Sequence, residues 1–515
     1  MRYFLFLFLL ILAGCNKIDT VVSDDLLQSG GEYWEQLTIQ GQPAGFQQTV
    51  LSFEKVEGQP VKRFERQSRL IVLRYGNRFD VALRVSSVSR MEGGFLSGTV
   101  RLNGGGEPIE TSYQSEKDQL IVSDSAGQTT LPWQPELPGP ETLLCELLKV
   151  PMQPGEKRQL TFFEPAMQSR VVAAMVAGSI ERVEINGVTK RLLRIEVQNR
   201  LELLQAGVQT VSETLWTDSN GNIIRREMPM DGQMLLAVRV PREKALGLAV
   251  EKPSAELGNL GVIPLNSPIL QPHRTARIEF LVETKEGSPT DRFPQTPFQS
   301  VEWLDTKRAK ITVFSAINNT NNVQLVTSEK FIKDQAEAKP EELASCSLIN
   351  LNDPQLLELA NQVNSDSLTP RQTVLALEQL VHKTIRQTSF SIALASSSDV
   401  LKSKSGDCTE FAVLLAALCR AKKIPARVTL GLVYTTFQQE NRQPEYAEAG
   451  MVFHLWNEVL IDGVWQPLDA TLALGGADAA RIKIADENLS GNTLAPLCHS
   501  LLGVIGQIKI ETLRQ

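Results

Sequence analysis

Three residues of this chain, Cys408, His454 and Asp469, have the types and settings that could together carry out acyl transfer. Cys408 lies in Ser405-Gly406-Asp407-Cys408-Thr409-Glu410-Phe411-Ala412, and Leu414, Leu415 and Leu418 follow at helical spacing. The thiol is therefore expected in the first turn of a buried helix. The unpaired amide N–H groups and positive dipole end there favour a thiolate, and can also hold a developing oxyanion. A base and a residue to orient it are still needed.

His454 and Asp469 can supply both. Met451 to Leu460 alternates as a strand, Asp462-Gly463 reads as a two-residue turn, and Val464 to Thr471 returns. With Ile461 facing Val464, Trp456 faces Asp469, and His454 becomes a diagonal neighbour of Asp469 on the same sheet face. Such neighbours have Cα atoms roughly 7–8 Å apart, within reach of a His–carboxylate hydrogen bond. Pro467 cannot donate to the ladder, so the pairing is least secure near Asp469. Trp456 and Trp465 read as packing residues of the hairpin.

The elements that must position these groups are also legible. Pro354 to Asn364 and Pro370 to Gln387 carry helical patterns, and Val374, Leu377, Val381 and Ile385 form one apolar stripe with His382 at its edge. Cys419 lies eleven residues beyond Cys408 on one helix, roughly 16 Å away at 1.5 Å per residue, which excludes a disulfide between them. It is expected in the core. Ile424-Pro425-Ala426 turns the chain into a strand, Val428 to Tyr434, and the polar stretch Thr435 to Gly450 reads as a loop able to cover a cleft.

Gly406-Asp407-Cys408, the helix leading to Ile424-Pro425-Ala426-Arg427, His454-Leu-Trp-Asn-Glu-Val and Trp465-Gln-Pro-Leu-Asp469-Ala-Thr resemble the core of the transglutaminase-like superfamily, over about Pro354 to Gly476. The resemblance implies a papain-like α+β core in which Cys408 attacks an amide, His454 shuttles the proton and Asp469 orients the imidazole. Members include transglutaminases, cysteine proteases, amidases and chains that have lost the triad. No metal or cofactor is implied. Some relatives use an upstream side chain as a second oxyanion donor; none is identifiable between Phe390 and Lys404, so the Cys408 backbone N–H stands alone by analogy.

Ahead of this core, short β-rich runs alternate with turn signals from Tyr33 to about Arg239. The fold class expected is multidomain, a β-rich front half of antiparallel meander lobes followed by the α+β core. Asn103-Gly104-Gly105, Asn186-Gly187 and Asp218-Ser219-Asn220-Gly221 mark hairpins. Asp218 to Asn222 lacks the ligand spacing and closing Glu of a calcium loop, and Gly104 to Gly106 lacks the Lys of a phosphate loop. The helical stretch Glu141 to Lys149 divides the region into two lobes. Domain limits are read as 32–250 for the two-lobed β region, 273–345 for a small β domain or linker, and 350–515 for the catalytic domain, with its core at 354–476. His273, at a boundary beside Pro272, reads as a solvated loop residue, and His499 as structural or exposed.

Residues 1–14 form a positive start, an apolar run of about 11 residues and a small-residue end, too short to span a bilayer and matching a signal peptide. Leu12-Ala13-Gly14-Cys15 resembles the lipobox of bacterial lipoproteins, which implies lipidation of Cys15, with 15–31 as tether; Asn16 favours the outer membrane. Five cysteines remain, Cys145, Cys346, Cys408, Cys419 and Cys498, an odd number whose pairing stays open.

The chain's 515 residues suggest about three or four domains. Its 52 Lys and Arg against 59 Asp and Glu, a net charge of −7, argue against a nucleic-acid partner. The expected function is an envelope-anchored thiol acyltransferase or hydrolase acting on protein or peptide amides, as a cysteine protease or amidase rather than a cross-linker. The alternative is a lipid-tethered binding or scaffold protein with a degenerate core. Oligomeric state is open.

Overall fold

The computed structural model describes residues 30–74, 77–104, 107–125, 127–203, 208–230, 233–251, 255, 262–285, 293–317, 337–388, 395–437, 448–489, 504 and 507–515. The leader 1–14, Cys15, nearly all of the tether, Cys498, His499, most of Thr435 to Gly450 and Gly105-Gly106 lie outside them. The chain divides into two compact units, Arg2–Gly258 and Asn259–Gln515. No helix among the described residues is long and apolar enough to cross a membrane.

In the first unit, the described residues from Gly31 to Val240 form fourteen strands of one antiparallel sheet. Sheet neighbours are chain neighbours, except that the first strand, Gly31–Ile39, pairs with the last, Gln233–Val240, from Trp34↔Val240 to Ile39↔Leu235. The sheet edges are therefore Gly127–Pro132 and Lys157–Glu164, on either side of the helix Thr142–Lys149. The two expected lobes are thus halves of a single sheet, and the helical interlude joins its edges. Tyr113 Oη donates to Pro165 O at 3.0 Å and Arg66 pairs with Glu164 at 3.1 Å, which sets the end of the edge strand Lys157–Glu164 against the inner face of the first meander.

That inner face alternates apolar residues such as Leu37, Leu70 and Val85 with buried charges, Glu35, Arg66, Glu213, Arg226 and Arg239. Burial of charge is tolerated where partners exist. Glu213 lies 3.3 Å from Arg226, and Gln47 Nε2 donates to Glu35 at 2.6 Å. The Asp218 segment is a hairpin turn, in which Asp218 Oδ1 accepts the N–H groups of Asn220 and Asn222, each at 2.9 Å.

The second unit holds the helices Pro354–Asn361, Pro370–Thr384, Ser397–Ser403 and Cys408–Ala421. They accompany a sheet ordered Ile263–Pro264, Glu448–Ile461, Ala426–Phe437, Arg481–Glu487, with Val464–Leu468 also paired to Glu448–Ile461. A further sheet orders Gln299–Trp303, Arg308–Phe314, Arg277–Thr284 and Ile508–Arg514. The β segment after residue 273 therefore shares a sheet with the C-terminal strand, from Phe280↔Thr512 to Thr284↔Ile508. Ile278, Phe280, Ile311 and Ile510 belong to one apolar cluster with Leu432, Met451, Ile482 and Ile484, so the two sheets share a core.

Candidate active site

The helix bearing Cys408 starts where its sequence provides a cap. Asp407 accepts the Thr409 N–H at 3.0 Å and also that of Glu410, while Glu410 Oε2 accepts the Asp407 N–H at 2.9 Å. This reciprocal box satisfies first-turn donors without using the Cys408 N–H, and it places Cys408 at the first helical position. Glu410 is fully buried and also accepts the Ala395 N–H at 3.1 Å. Burial, then the charge of Asp407, pushes its carboxyl well above the usual range. Gly406 is required here: a Cβ on it would lie 2.3 Å from Glu410 Cβ. From Ala412 to Cys419 every residue is buried, so the helix is a core element that anchors the end carrying Cys408.

His454 lies on Glu448–Ile461 opposite Gly431, and Asp469 follows the strand Val464–Leu468. The hairpin has the expected register, Ile461↔Val464 to Asn457↔Leu468, turning through Asp462 and Gly463 with φ of 51° and 74°. The ladder ends one pair before Trp456 and Asp469 would face each other. His454 Nε2–H donates to Asp469 Oδ2 at 2.9 Å, and the ring also hydrogen-bonds to the Cys408 thiol. With Nε2 committed to the carboxylate, Nδ1 is the nitrogen left for sulfur. The structure thus brings Cys408, His454 and Asp469 into one hydrogen-bonded line.

Electrostatics follow from burial and pairing. Burial opposes charge on His454, but the Asp469 carboxylate and the hydrogen bonds to Asp469 and Cys408 outweigh it, raising the imidazole to about 10. For Asp469, burial is again the largest influence and again loses: His454, Arg481 and Thr471 hold the carboxyl far below its usual range. Thr471 donates both its N–H, at 3.0 Å, and its hydroxyl, at 2.5 Å, to Asp469 Oδ1. Cys145 and Cys419 are buried and each is pushed up to about 12, chiefly by burial. Among the described residues, Cys145, Cys346, Cys408 and Cys419 are all free thiols.

Other histidines sit elsewhere. His382 is exposed and its Nδ1–H donates to Ala470 O at 3.0 Å, on the segment just after Asp469. His273 is half exposed but not merely solvated, since its Nδ1 lies 2.7 Å from Oδ2 of the buried Asp478. Trp465 packs as expected, under the Arg427 guanidinium at 4.1 Å. Trp456 does more than pack, for its ring stacks beside His454, with centroids 6.4 Å apart and planes 23° apart. Gly431 makes room for it: a Cβ there would meet Trp456 at 2.3 Å and Ile482 O at 2.2 Å.

Two supporting residues were not foreseen. Glu378, wholly buried, accepts the Asp469 N–H at 3.1 Å and the Gly475 N–H at 3.0 Å. Burial raises it to about 7 against the pull of those N–H groups. A signal existed, since Glu378 sits four residues after Val374 and three before Val381, a charge on the apolar stripe. Arg481, whose Nη1 donates to Asp469 Oδ2 at 3.1 Å, carried none.

Residues 357–470 match the family model of the transglutaminase-like superfamily. No curated protein matches the chain. Among solved structures, the chain is similar to a candidate cysteine protease from Cytophaga hutchinsonii, at 17% identity over 48% of this chain and 82% of that one, with a TM-score of 0.25. It is similar to a β-barrel-like protein from Brucella abortus at 13% identity, over 41% of this chain and 96% of that one, with a TM-score of 0.30. A hypothetical lipoprotein, YmcC, from Escherichia coli has 9% identity over 43% of this chain and 89% of its own, with a TM-score of 0.18. The C-terminal part of this chain, at residues 357–470, is a transglutaminase-like domain.

Proposed function

We propose that this protein is a thiol acyltransferase or hydrolase that acts on protein or peptide amides through a Cys408 thioester, as a cysteine protease or amidase rather than a cross-linker. The observation that carries the reading is the hydrogen-bonded line from Cys408 through His454 to Asp469 at the start of a capped helix. In the first half-reaction the Cys408 sulfur attacks the amide carbonyl carbon, and the oxyanion is held by the Cys408 backbone N–H. The His454 imidazolium gives its Nδ1 proton to the leaving nitrogen as the C–N bond breaks, and an amine departs. In the second, His454 Nδ1 takes a proton from water, the hydroxide adds to the thioester and the C–S bond breaks. A carboxylic acid and the starting thiolate–imidazolium pair result, and the acid loses its proton to the released amine or to solvent on leaving. Asp469 stays an acceptor throughout, orienting the ring and stabilising its charge.

The partner is a protein or peptide substrate. Cys15 serves as the lipid anchor in the bacterial envelope, supported by the leader and the Leu-Ala-Gly-Cys sequence, with Asn16 favouring the outer membrane, facing the periplasm or surface.

The reading is tested by alkylating the folded chain with iodoacetamide near neutral pH and mapping the modified cysteines by mass spectrometry. Cys408 is expected to react faster than Cys145 and Cys419, whose burial suppresses their thiolates. Equal or slower reaction at Cys408 would favour a scaffold with a silent core. A Gln-bearing peptide with and without a fluorescent primary amine then separates the chemistries: ammonia release without amine incorporation supports hydrolysis, and incorporation argues for cross-linking.

A further inference from the structure

Asp469 is one of three buried carboxyl groups gathered behind His454. Glu378 is 0% exposed, Asp469 1% and Asp478 3%. Among the described residues, the cation hydrogen-bonded to two of them is Arg481, itself buried. Its Nη1 donates to Asp469 Oδ2 at 3.1 Å, while its Nε donates to Asp478 Oδ1 and to the Asp478 carbonyl, each at 3.2 Å. The guanidinium also lies over the Trp456 ring, 5.1 Å from its centroid, and the same ring stacks beside His454. Arg481 therefore reaches the imidazole twice, once through a carboxylate and once through an indole. The cluster extends to the surface at His273, whose Nδ1 lies 2.7 Å from Asp478 Oδ2.

We propose that Arg481 is a positioning residue for the Cys408–His454 pair: it keeps Asp469 an anion oriented to accept from His454 Nε2–H, and it clamps Trp456 against the ring, so that Nδ1 faces the sulfur. This rests on the reaction proposed above, and it deepens it by assigning the group that sets the charge and geometry of the orienting carboxylate. A buried carboxylate beside two further buried acids would shed its charge unless a cation were held against it. A planar fork can serve two carboxylates and a ring face together, where an ammonium would serve them only as a point charge.

Arg481 is far enough from Cys408 in role that its effect can be read on His454 directly. The charged or titratable groups around that ring are Cys408 from the capped helix, Asp469 after the hairpin, and, behind them, Glu378, Arg481, Asp478 and His273. Loss of a cation alone would raise the His454 midpoint, whereas protonation of Asp469 removes the anion that holds the imidazolium and lowers it. In the full chain, Arg481→Met is expected to let Asp469 take up a proton and so to move the His454 midpoint, followed by NMR of the ring protons, downward by about one pH unit. Arg481→Lys, which keeps the charge and loses the fork, gives a smaller downward shift. A cation with no hold on Asp469 would give the opposite sign in Arg481→Met. An unmoved or raised His454 midpoint in folded Arg481→Met would overturn the proposal. If Arg481→Met does not fold, Arg481→Lys decides, and a midpoint at or above the wild-type position overturns it. The NMR readout requires no thiol chemistry, so a wild-type Cys408 that fails to alkylate rapidly counts against the enzymatic reading alone.

Discussion

At the residue scale the site is governed by one raised base and one strongly acidic partner. Because His454 is shifted from 6.5 up to about 10, the stability its partners confer is complete below about pH 6.5 and lost as pH rises through about 10. The stability difference between wild type and His454→Ala, from urea unfolding, should therefore be larger at pH 6 than at pH 10.5. An unchanged difference would remove the ion pair from the folded state. Asp469→Asn keeps the shape but replaces an acceptor of two cationic donors by an amide that can present its NH₂ to them. Under the proposed reaction, amide turnover should fall by about a thousandfold or more. Wild-type turnover in this variant would mean that the carboxylate is only structural. Both effects rest on residue types and spacings legible along the chain: the diagonal placement of His454 and Asp469 follows from a two-residue turn and the period of a strand.

The elements decide how firmly that geometry is held. Gly431 faces His454 across the sheet, and the space above it is filled by Trp456. Gly431→Ala should cost about 1–3 kcal/mol by overpacking, and it should lower Cys408 reactivity by displacing the ring that stacks on His454. Chemical denaturation paired with alkylation rates tests this, and wild-type values for both would show that the strand shifts freely. The helix bearing Cys408 was readable because Leu414, Leu415 and Leu418 follow at helical spacing, and the structure adds the Asp407–Glu410 cap that starts it. Glu378 was less so: periodicity identifies which helix face is buried, but not that a buried acid on it receives the backbone N–H groups of Asp469 and Gly475. That requires knowing which loop lies against the helix.

For the molecule as a whole, the two units differ in how their chain order relates to their cores. The first runs as a meander closed by its own ends, and its hairpins could be anticipated from turn residues one after another. The second is stitched from distant pieces, since Arg277–Thr284 pairs with Ile508–Arg514 and their side chains share a core with Leu432 and Ile482. A fragment starting at residue 350 would therefore leave Ile510 without its sheet. We expect residues 259–515 to fold cooperatively and retain rapid Cys408 alkylation, and residues 350–515 to lack a cooperative transition by circular dichroism. Cooperative folding of the shorter fragment would contradict the shared core. The amino-acid sequence by itself determined the thiol at a helix start, the hairpin that aligns His454 and Asp469, and the alternation of a large β region, because each depends on contacts within a few residues or on a fixed period. Tertiary structure alone decided the Arg481 clamp, the Glu378 support, the His273–Asp478 pair and the closing C-terminal strand. Those partners lie far apart along the chain and are selected by the need to neutralise buried charge and fill buried space, which no local pattern encodes.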